Sequence, residues 1–330
     1  MPIAENKSQA LLFSLRRVTE AAAQAAAEWI GRGDAHQVNS AAITAMRVKF
    51  LELPLRGRVV IGDGSDADGE RAAFLPNEQL GNSTETPEFD IAVDPVEGTS
   101  YLAKGMTNAM AVMALAPKGS MFKPGPAFYM EKFAGPPVVK GKIDPESPLE
   151  DKLQLIAKET GKSVSELIVY VLEKPRHRAL VEAIYRAGAR VALYPAGDVA
   201  GAIMAAIPDS GIDALVGTGG TPEGVISACA IRAIGGEFLC RLDPQLPSEH
   251  VAVREAAMST SDWMGVNDLV KSDQVYFAAT GITTGLLFDG VYRTPHHLRT
   301  ESLLISGGSG ERHSLTTYHP HANRNPPEGL

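Results

Sequence analysis

The chain of 330 residues is poor in cysteine, with only Cys229 and Cys240. Two loosely spaced thiols exclude a disulfide framework and a cysteine-based zinc site, and buried thiols in a reducing cytoplasm are the expectation. Histidine is scarce as well, eight in all, with His319 and His321 near the C-terminal end, so a histidine cluster for zinc is not expected. No apolar run reaches the roughly 18–20 residues that a membrane helix needs. The longest stretch of small apolar residues, 21–30, is broken by Gln24 and Glu28. Residues 1–10 lack the charged segment and apolar core of a signal peptide. A cytoplasmic protein without a membrane partner is therefore expected. Positive charge is also in deficit: 31 Lys and Arg stand against 39 Asp and Glu, a net charge of −8, with no basic block. That balance leaves no electrostatic footprint for a nucleic acid.

What is present fits a globular protein. Hydrophobic residues make up 44% and charged residues 21%, and the length suits one large domain or two moderate ones. Residues 8–30 are rich in Ala, Leu, Arg and Glu without Gly or Pro, which predicts a helix ended by Gly31-Arg32-Gly33. A second helix is predicted over 39–53, and strands over 58–61, 89–93 and 128–133, with an apolar continuation at 109–115. The later part alternates: strand 168–172, helix 178–187, strand 190–194, helix 199–207, strand 214–216, helix 223–234. Such alternation implies an α/β layered unit following a more α+β-like first half. The boundary is placed within 145–163, giving halves 1–162 and 163–330. The tail 323–330 is expected to be disordered.

The sharpest chemical feature is Asp90-Ile91-Ala92-Val93-Asp94-Pro95-Val96-Glu97-Gly98-Thr99. A buried strand ending at Asp94-Pro95 delivers Asp94 and Glu97 to a turn, where both carboxylates can converge on a hard divalent cation. Gly98 permits close backbone approach to a phosphate, and the Thr99 hydroxyl can orient a water. The alternative is an Asp-Pro turn with incidental acids. Lys174 and Arg176 lie two residues apart at a strand end; an extended backbone would point both at one phosphate, unless they form a solvated basic turn. Gly217-Thr218-Gly219-Gly220-Thr221-Pro222-Glu223-Gly224 lacks the spacing of a dinucleotide fingerprint. It is read as a turn whose N–H groups face a ligand, with Glu223 opening the next helix, where a helix dipole alone would also favour an acid. Tyr129 is either a hydrogen-bonding group for a ligand or a half-buried core residue, and His177 lines the pocket at most.

The Asp94-to-Thr99 run resembles the metal motif of inositol monophosphatases, bisphosphate nucleotidases and fructose-bisphosphatases. The longer run from Asp90 is similar to the class II (GlpX-type) fructose-1,6-bisphosphatases of the lithium-sensitive phosphatase superfamily. Gly31-Arg32-Gly33-Asp34, Val60-Ile61-Gly62-Asp63-Gly64, Tyr129-Met130-Glu131-Lys132, Lys174-Pro175-Arg176-His177, Gly197-Asp198-Val199-Ala200, the run from Gly217 and Phe277-Ala278-Ala279-Thr280-Gly281 continue that resemblance in the same order over nearly the whole chain. It implies a five-layer αβαβα sugar-phosphatase fold, Mg²⁺ or Mn²⁺, and a homodimer or homotetramer. It further implies Asp63, Asp94, Glu97 and Glu223, with Asn39, as metal ligands, and Asp63, Asp94, Glu97 and Thr99 as the catalytic group. Gly98, Thr99, Tyr129, Lys174, Arg176, Gly197, Asp198, Gly219 and Gly220 are implied to bind substrate. Two cations about 3.5–4 Å apart would need four or five carboxylates from separate segments.

Departures from the family pattern gather at the same positions. Ala35 and Asn39-Ser40 stand where the family carries Lys and Asp-Gly. Asp63 replaces Glu, and Ser65 a second Glu. Ala127 and Ala196 stand where the family has Asp. The segment 241–270 is shorter than its counterpart. A phosphatase for fructose 1,6-bisphosphate or sedoheptulose 1,7-bisphosphate is the leading reading. A phosphatase for another ketose or cyclitol phosphate, and a catalytically weak or inactive sugar-phosphate binder, are the alternatives.

Overall fold

A computed structural model describes residues 2–63, 73–81 and 88–321. The expectations for Gly64, Ser65 and the tail 323–330 fall outside these residues. The chain begins with α1 (Pro2–Ala27), α2 (Ala35–Leu51), β1 (Arg56–Ile61), β2 (Gln79–Gly81), β3 (Glu88–Glu97), α3 (Thr99–Ala103), β4 (Met110–Pro117) and β5 (Tyr129–Gly135). There follow α4 (Leu149–Thr160), β6 (Ile168–Leu172), α5 (Arg178–Arg186), β7 (Arg190–Tyr194), α6 (Asp198–Ala206), β8 (Ala214–Gly220), α7 (Thr221–Ile234) and β9 (Glu237–Leu242). The C-terminal part contributes α8 (Pro247–Glu255), β10 (Met264–Gly265), α9 (Val266–Leu269), β11 (Tyr276–Gly281), β12 (Tyr292–Arg293), β13 (His297–Ser306) and β14 (Arg312–Pro320).

Two mixed sheets organise these elements. The first has eight strands in the order β12-β13-β11-β4-β3-β1-β2, with β14 beside β13; the second has six, ordered β10-β9-β5-β8-β6-β7. Period-two alternation explains why both faces of the first sheet are covered. Along β4, Ala111, Met113 and Leu115 pack against the α1–α2 side. Met110, Val112, Ala114 and Ala116 face the opposite way, onto α6, α7 and the second sheet. The far side of the second sheet packs on α4 and α5 through Phe133, Val169, Val171, Leu153, Ile156 and Ile184. The result is the five-layer αβαβα arrangement. The sheets exchange strands across residue 162: β5 lies in the second sheet, and β11 to β14 complete the first. A division into a metal-binding half 1–162 and a phosphate-binding half 163–330 therefore stands as a proposal about function rather than as two separate sheets.

Several local forces set the elements that carry the site. Asp34 caps α2 by accepting the Gln37 N–H at 3.0 Å, so the helix starts at Ala35, four residues before the expected start. The strand expected to stop at Asp94-Pro95 instead runs on to Glu97. Its pairing with β4 slips there, Asp94 opposite Val112 and Glu97 opposite Met110, so β3 holds one extra residue. Proline has no N–H to give to a ladder, and a bulge is where a strand tolerates it. In a regular strand residues three apart point to opposite faces; the extra residue restores Asp94 and Glu97 to one side.

Phe277 on β11 is fully buried in the middle layer. Phe277→Ala is expected to cost about 3–5 kcal/mol of unfolding free energy, read from the shift in a denaturant midpoint at unchanged slope.

Candidate active site

The two sheets turn the carboxyl ends of their parallel strands toward one cleft, the place where open α/β sheets bind ligands. In the first sheet, β1 runs parallel to β3, and Asp63 follows the end of β1 while Asp94 and Glu97 lie at the end of β3. In the second, β6 runs parallel to both β7 and β8. Beyond the ends of these three strands come Lys174 and Arg176, Gly197 and Asp198, and Glu223. A cleft of about 400 Å³ is lined by Glu97, Gly98, Tyr129, Lys174, Arg176, Ala196, Gly197, Asp198, Gly219, Gly220 and Glu223, among others. Most of the residues picked from the sequence thus meet in one cavity. Asp63, Asp94, Thr99 and Asn39 are not on its lining.

The acids nevertheless form one electrostatic group. Burial pushes the carboxyl of Asp94 well above the usual carboxylate range, and the neighbouring charges of Asp63, Glu223 and Asp198 push it further. Glu97 is raised for the same reasons, burial first and then Asp198 and Asp94. Glu223 is raised by burial and by Asp198. Glu97 spans the two sheets: its Oε1 accepts the Val199 N–H at 2.9 Å in the first turn of α6. Its Oε2, the Oε2 of Glu223 and the Oδ1 of Asn39 are buried without a hydrogen-bond partner. Buried polar atoms are ordinarily paired, so the two orphaned carboxylate oxygens at the cleft, on Glu97 and Glu223, point to an oxygen-seeking cation. Among the described residues no three acids stand close enough to enclose an ion as they are placed. The donor set fits a hard divalent cation in its chemistry, all oxygen and mostly anionic.

The glycines of β8 make room for these acids. Residues 217–220 are not a turn, as the sequence suggested, but the end of β8, pairing Gly219 with Met130 and Gly220 with Tyr129. A Cβ on Gly220 would sit 1.8 Å from Glu223 Oε2, and one on Gly219 would sit 2.1 Å from Asp198 Oδ2. Any side chain there would displace a carboxylate. Gly98, at φ 89°, occupies the left-handed region that a residue with a Cβ avoids, and α3 starts from it. Thr99 follows, and its hydroxyl donates to the Val96 carbonyl at 2.8 Å. With its proton committed, the Thr99 oxygen is left as an acceptor.

The two basic residues of the cleft are held by neighbouring groups. Pro175–His177 form a 3₁₀ turn rather than an extended strand, yet Lys174 and Arg176 both line the cleft. Lys174 Nζ donates to the Tyr101 hydroxyl at 2.8 Å. Arg176 lies over the Tyr129 ring at 5.1 Å and donates through Nε and Nη2 to the Thr218 carbonyl. Tyr129 therefore acts as a platform for Arg176. The N–H groups of Phe128 and Tyr129 are held by buried Glu249 at 2.6 and 2.8 Å. Sequence reasoning missed Tyr101, Glu249 and the buried Lys132, which pairs with Asp198 at 2.6 Å; only Lys132 lay within a motif already singled out. Ala196 faces the cleft, whereas Ala127 lines a separate cavity of about 310 Å³, together with Val59, Ile61, Lys123, Phe128 and Pro222.

His177 does not line the cleft, as the sequence suggested it could, but is buried away from it. Its Nδ1 lies 2.7 Å from the Leu172 carbonyl, and its Nε2 accepts the Thr218 N–H at 2.8 Å. These contacts require the neutral ring, protonated on Nδ1. Burial, followed by the nearby Arg176 and Lys174 charges, holds its pKa below the ordinary histidine value. A base whose folded pKa is depressed contributes stability that is complete above the unfolded value and is lost as pH falls through the folded one. Below that point the Thr218 N–H loses its acceptor, at a cost of about 1–3 kcal/mol. His177→Gln is expected to lower the melting temperature near neutrality and to flatten its decline in mild acid. An unchanged acid limb in a pH series of thermal melts would count against this assignment.

The comparisons with known proteins agree with this geometry. The family model described as bacterial fructose-1,6-bisphosphatase, glpX-encoded, matches residues 9–319. Fructose-1,6-bisphosphatase class 2 of Haemophilus influenzae is 39% identical over 325 residues, 94% of this chain and 96% of that protein. Fructose-1,6-bisphosphatase 1 class 2 of Escherichia coli K12 is 40% identical over 331 residues, 96% of this chain and 97% of that protein. With the match running through both sheets and every strand end that borders the cleft, the chain belongs to the glpX-encoded bacterial fructose-1,6-bisphosphatase family.

Proposed function

We propose that this protein hydrolyses a sugar bisphosphate, with fructose 1,6-bisphosphate, giving fructose 6-phosphate, as the first substrate and sedoheptulose 1,7-bisphosphate beside it. The observation that carries the reading is the pair of partnerless buried carboxylate oxygens, on Glu97 and Glu223, in one cleft with Lys174 and Arg176. Family membership brings with it a requirement for a divalent cation. Mg²⁺ or Mn²⁺ is our choice, held by Asp63, Asp94, Glu97 and Glu223, with the Asn39 amide oxygen as a further donor. A homodimer or homotetramer is part of the same proposal.

When bound, such a cation would lower the pKa of water and offset charge on the phosphoryl group. The chain's own residues supply the rest. The acids would close by side-chain rotation, since Gly219 and Gly220 already leave them space. Thr99, whose proton is given to Val96, accepts a hydrogen bond from the attacking water and aims its lone pair at phosphorus. Lys174 and Arg176 hold the phosphate that is not cleaved, with Arg176 fixed by Thr218 and the Tyr129 ring. A preset guanidinium loses little freedom on binding, which is what positioning contributes to rate.

The alternative of a weak or inactive sugar-phosphate binder draws on Asn39, which offers a neutral oxygen where the family resemblance implies a carboxylate. Phosphate release measured against sugar mono- and bisphosphates with Mg²⁺ and with Mn²⁺ separates the two. Turnover of a bisphosphate supports the phosphatase; tight cation-dependent binding without turnover, restored by Asn39→Asp, supports the alternative.

Asp94→Asn is expected to reduce phosphate release by at least about a hundredfold with the circular dichroism spectrum unchanged; full activity in that variant would sink the assignment. Cation binding to the folded state alone should raise the melting temperature, by the equivalent of about 2.7 kcal/mol at a hundred times Kd. Glu97→Gln should blunt that rise in the same thermal-shift titration.

A further inference from the structure

Lys132 is a lysine in the wrong place for a surface cation. It lies in the middle of β5, opposite Gly217 on one side and Cys240 on the other, and it is 1% exposed. Burying an ammonium is costly unless a partner and a fixed geometry offset it. The partner is Asp198, 6% exposed, whose Oδ2 receives the Lys132 ammonium at 2.6 Å. Two glycines border this pair. A Cβ on Gly219 would approach Asp198 Oδ2 to 2.1 Å and Lys132 Nζ to 3.2 Å, and one on Gly224 would approach Lys132 Cε to 3.2 Å.

The two partners have different access. Asp198 borders the cleft and Lys132 does not. Among the described residues no second hydrogen bond holds the other oxygen of Asp198. The charge of Asp198 is felt by Glu97 and by Glu223. An unpaired aspartate at this spot would be drawn to the same cation as those acids. Tied through one oxygen to Lys132, it keeps the other oxygen for a donor in the cleft. A sugar hydroxyl is such a donor; a phosphate dianion, which only accepts, is not.

Resting on the sugar-phosphate reading above, we propose that Lys132 is a positioning residue: its buried ammonium anchors Asp198 as an acceptor for a substrate hydroxyl and withholds it from the cation-binding acids. Lys132 acts on the sugar through Asp198 and does not touch the phosphate.

The test uses full-length protein, Mg²⁺, and calorimetric titration with two probes, fructose 6-phosphate and inorganic phosphate. Lys132→Met and Asp198→Asn should each weaken fructose 6-phosphate by about tenfold or more, the worth of a hydrogen bond to a charged group. Inorganic phosphate should stay within about twofold of wild type. The double variant should bind fructose 6-phosphate no worse than the weaker single one, because both changes remove one interaction. Lys132→Arg should recover part of the loss. Equal weakening of both probes by Lys132→Met would place the ammonium on the phosphate and overturn the proposal. Unaltered fructose 6-phosphate binding in that variant would reduce Lys132 to a structural ion pair. If Lys132→Met fails to fold because Asp198 is left uncompensated, the double variant, which buries no lone charge, is compared with Asp198→Asn. Equal affinities uphold the proposal, and a further tenfold loss refutes it. Wild-type protein that binds fructose 6-phosphate but releases no phosphate from fructose 1,6-bisphosphate or sedoheptulose 1,7-bisphosphate would end the phosphatase reading and leave this inference standing. Wild-type protein that does not bind it at all overturns this inference, while phosphate release from the bisphosphates decides the phosphatase reading separately.

Discussion

Mutual repulsion among buried carboxylates is the constraint around which this molecule is arranged. Asp94, Glu97 and Glu223 lose water and feel neighbouring carboxylates, Asp198 among them, and all three carboxyls are driven upward in pKa, by burial first and by those charges next. Like charges gathered out of water are expensive, and a fold keeps them only where something else benefits. Clusters of this kind therefore mark functional sites more often than structural ones. The framework that tolerates them is rigid: Glu97 is pinned to α6 by the Val199 N–H, Asp94 accepts the Val96 N–H at 3.0 Å, and Lys132 offsets the charge of Asp198.

That framework follows from the layering. A parallel strand carries its carboxyl end to one rim of its sheet, and each sheet here offers parallel strands whose rims meet. The first sheet brings Asp63, Asp94 and Glu97, and the second brings a basic pair with two more acids, Asp198 and Glu223. The cleft combines the two sets: anionic oxygens from both sheets and the cations of Lys174 and Arg176 from the second. The extra residue in β3 and the bare glycines at the end of β8 are the local adjustments that let two preformed sheets share one cavity. Both cost strand regularity, and both lie next to the carboxylates gathered at the cleft, Glu97 beside the first and Asp198 and Glu223 beside the second.

Much of this was legible in the sequence because it is local. β6 and β7 match the strands expected from their β-branched runs, and α5, α6 and α7 fall within a residue or two of expectation. The acids were legible because turn residues and carboxylates coincide in short motifs. What was not legible depends on partners distant in the chain. The Gly217–Gly220 stretch looks like a turn until β5 pairs with it. Lys174 and Arg176 converge through a 3₁₀ turn that His177 stabilises by reaching Thr218, 41 residues away. Completion of the first sheet by β11, β13 and β14 is a matter of strand order, which no local pattern encodes. Lys132 sat inside a recognised motif, yet its burial against Asp198, 66 residues on, is a tertiary fact.

The altered positions acquire different meanings once placed. Ala127 and Ala196 looked like twin losses of sugar-side acids, but they border different cavities. Ala127 is buried in a mostly apolar recess beyond Phe128 and Pro222, so a carboxylate there would not reach a ligand held between Lys174 and Glu97 without turning the corner past those two residues. Ala196 stands in the cleft itself, its Cβ in van der Waals range of the position a Gly98 Cβ would take, 3.6 Å away. Its carbonyl is held by the Tyr170 hydroxyl at 3.0 Å and by Asn108 at 3.3 Å, so the backbone there is fixed without any help from a side chain. Removing a side-chain acid from a fixed backbone opens space and removes charge without loosening the loop. That leaves Asp198, paired with Lys132, as the carboxylate on that wall of the cleft.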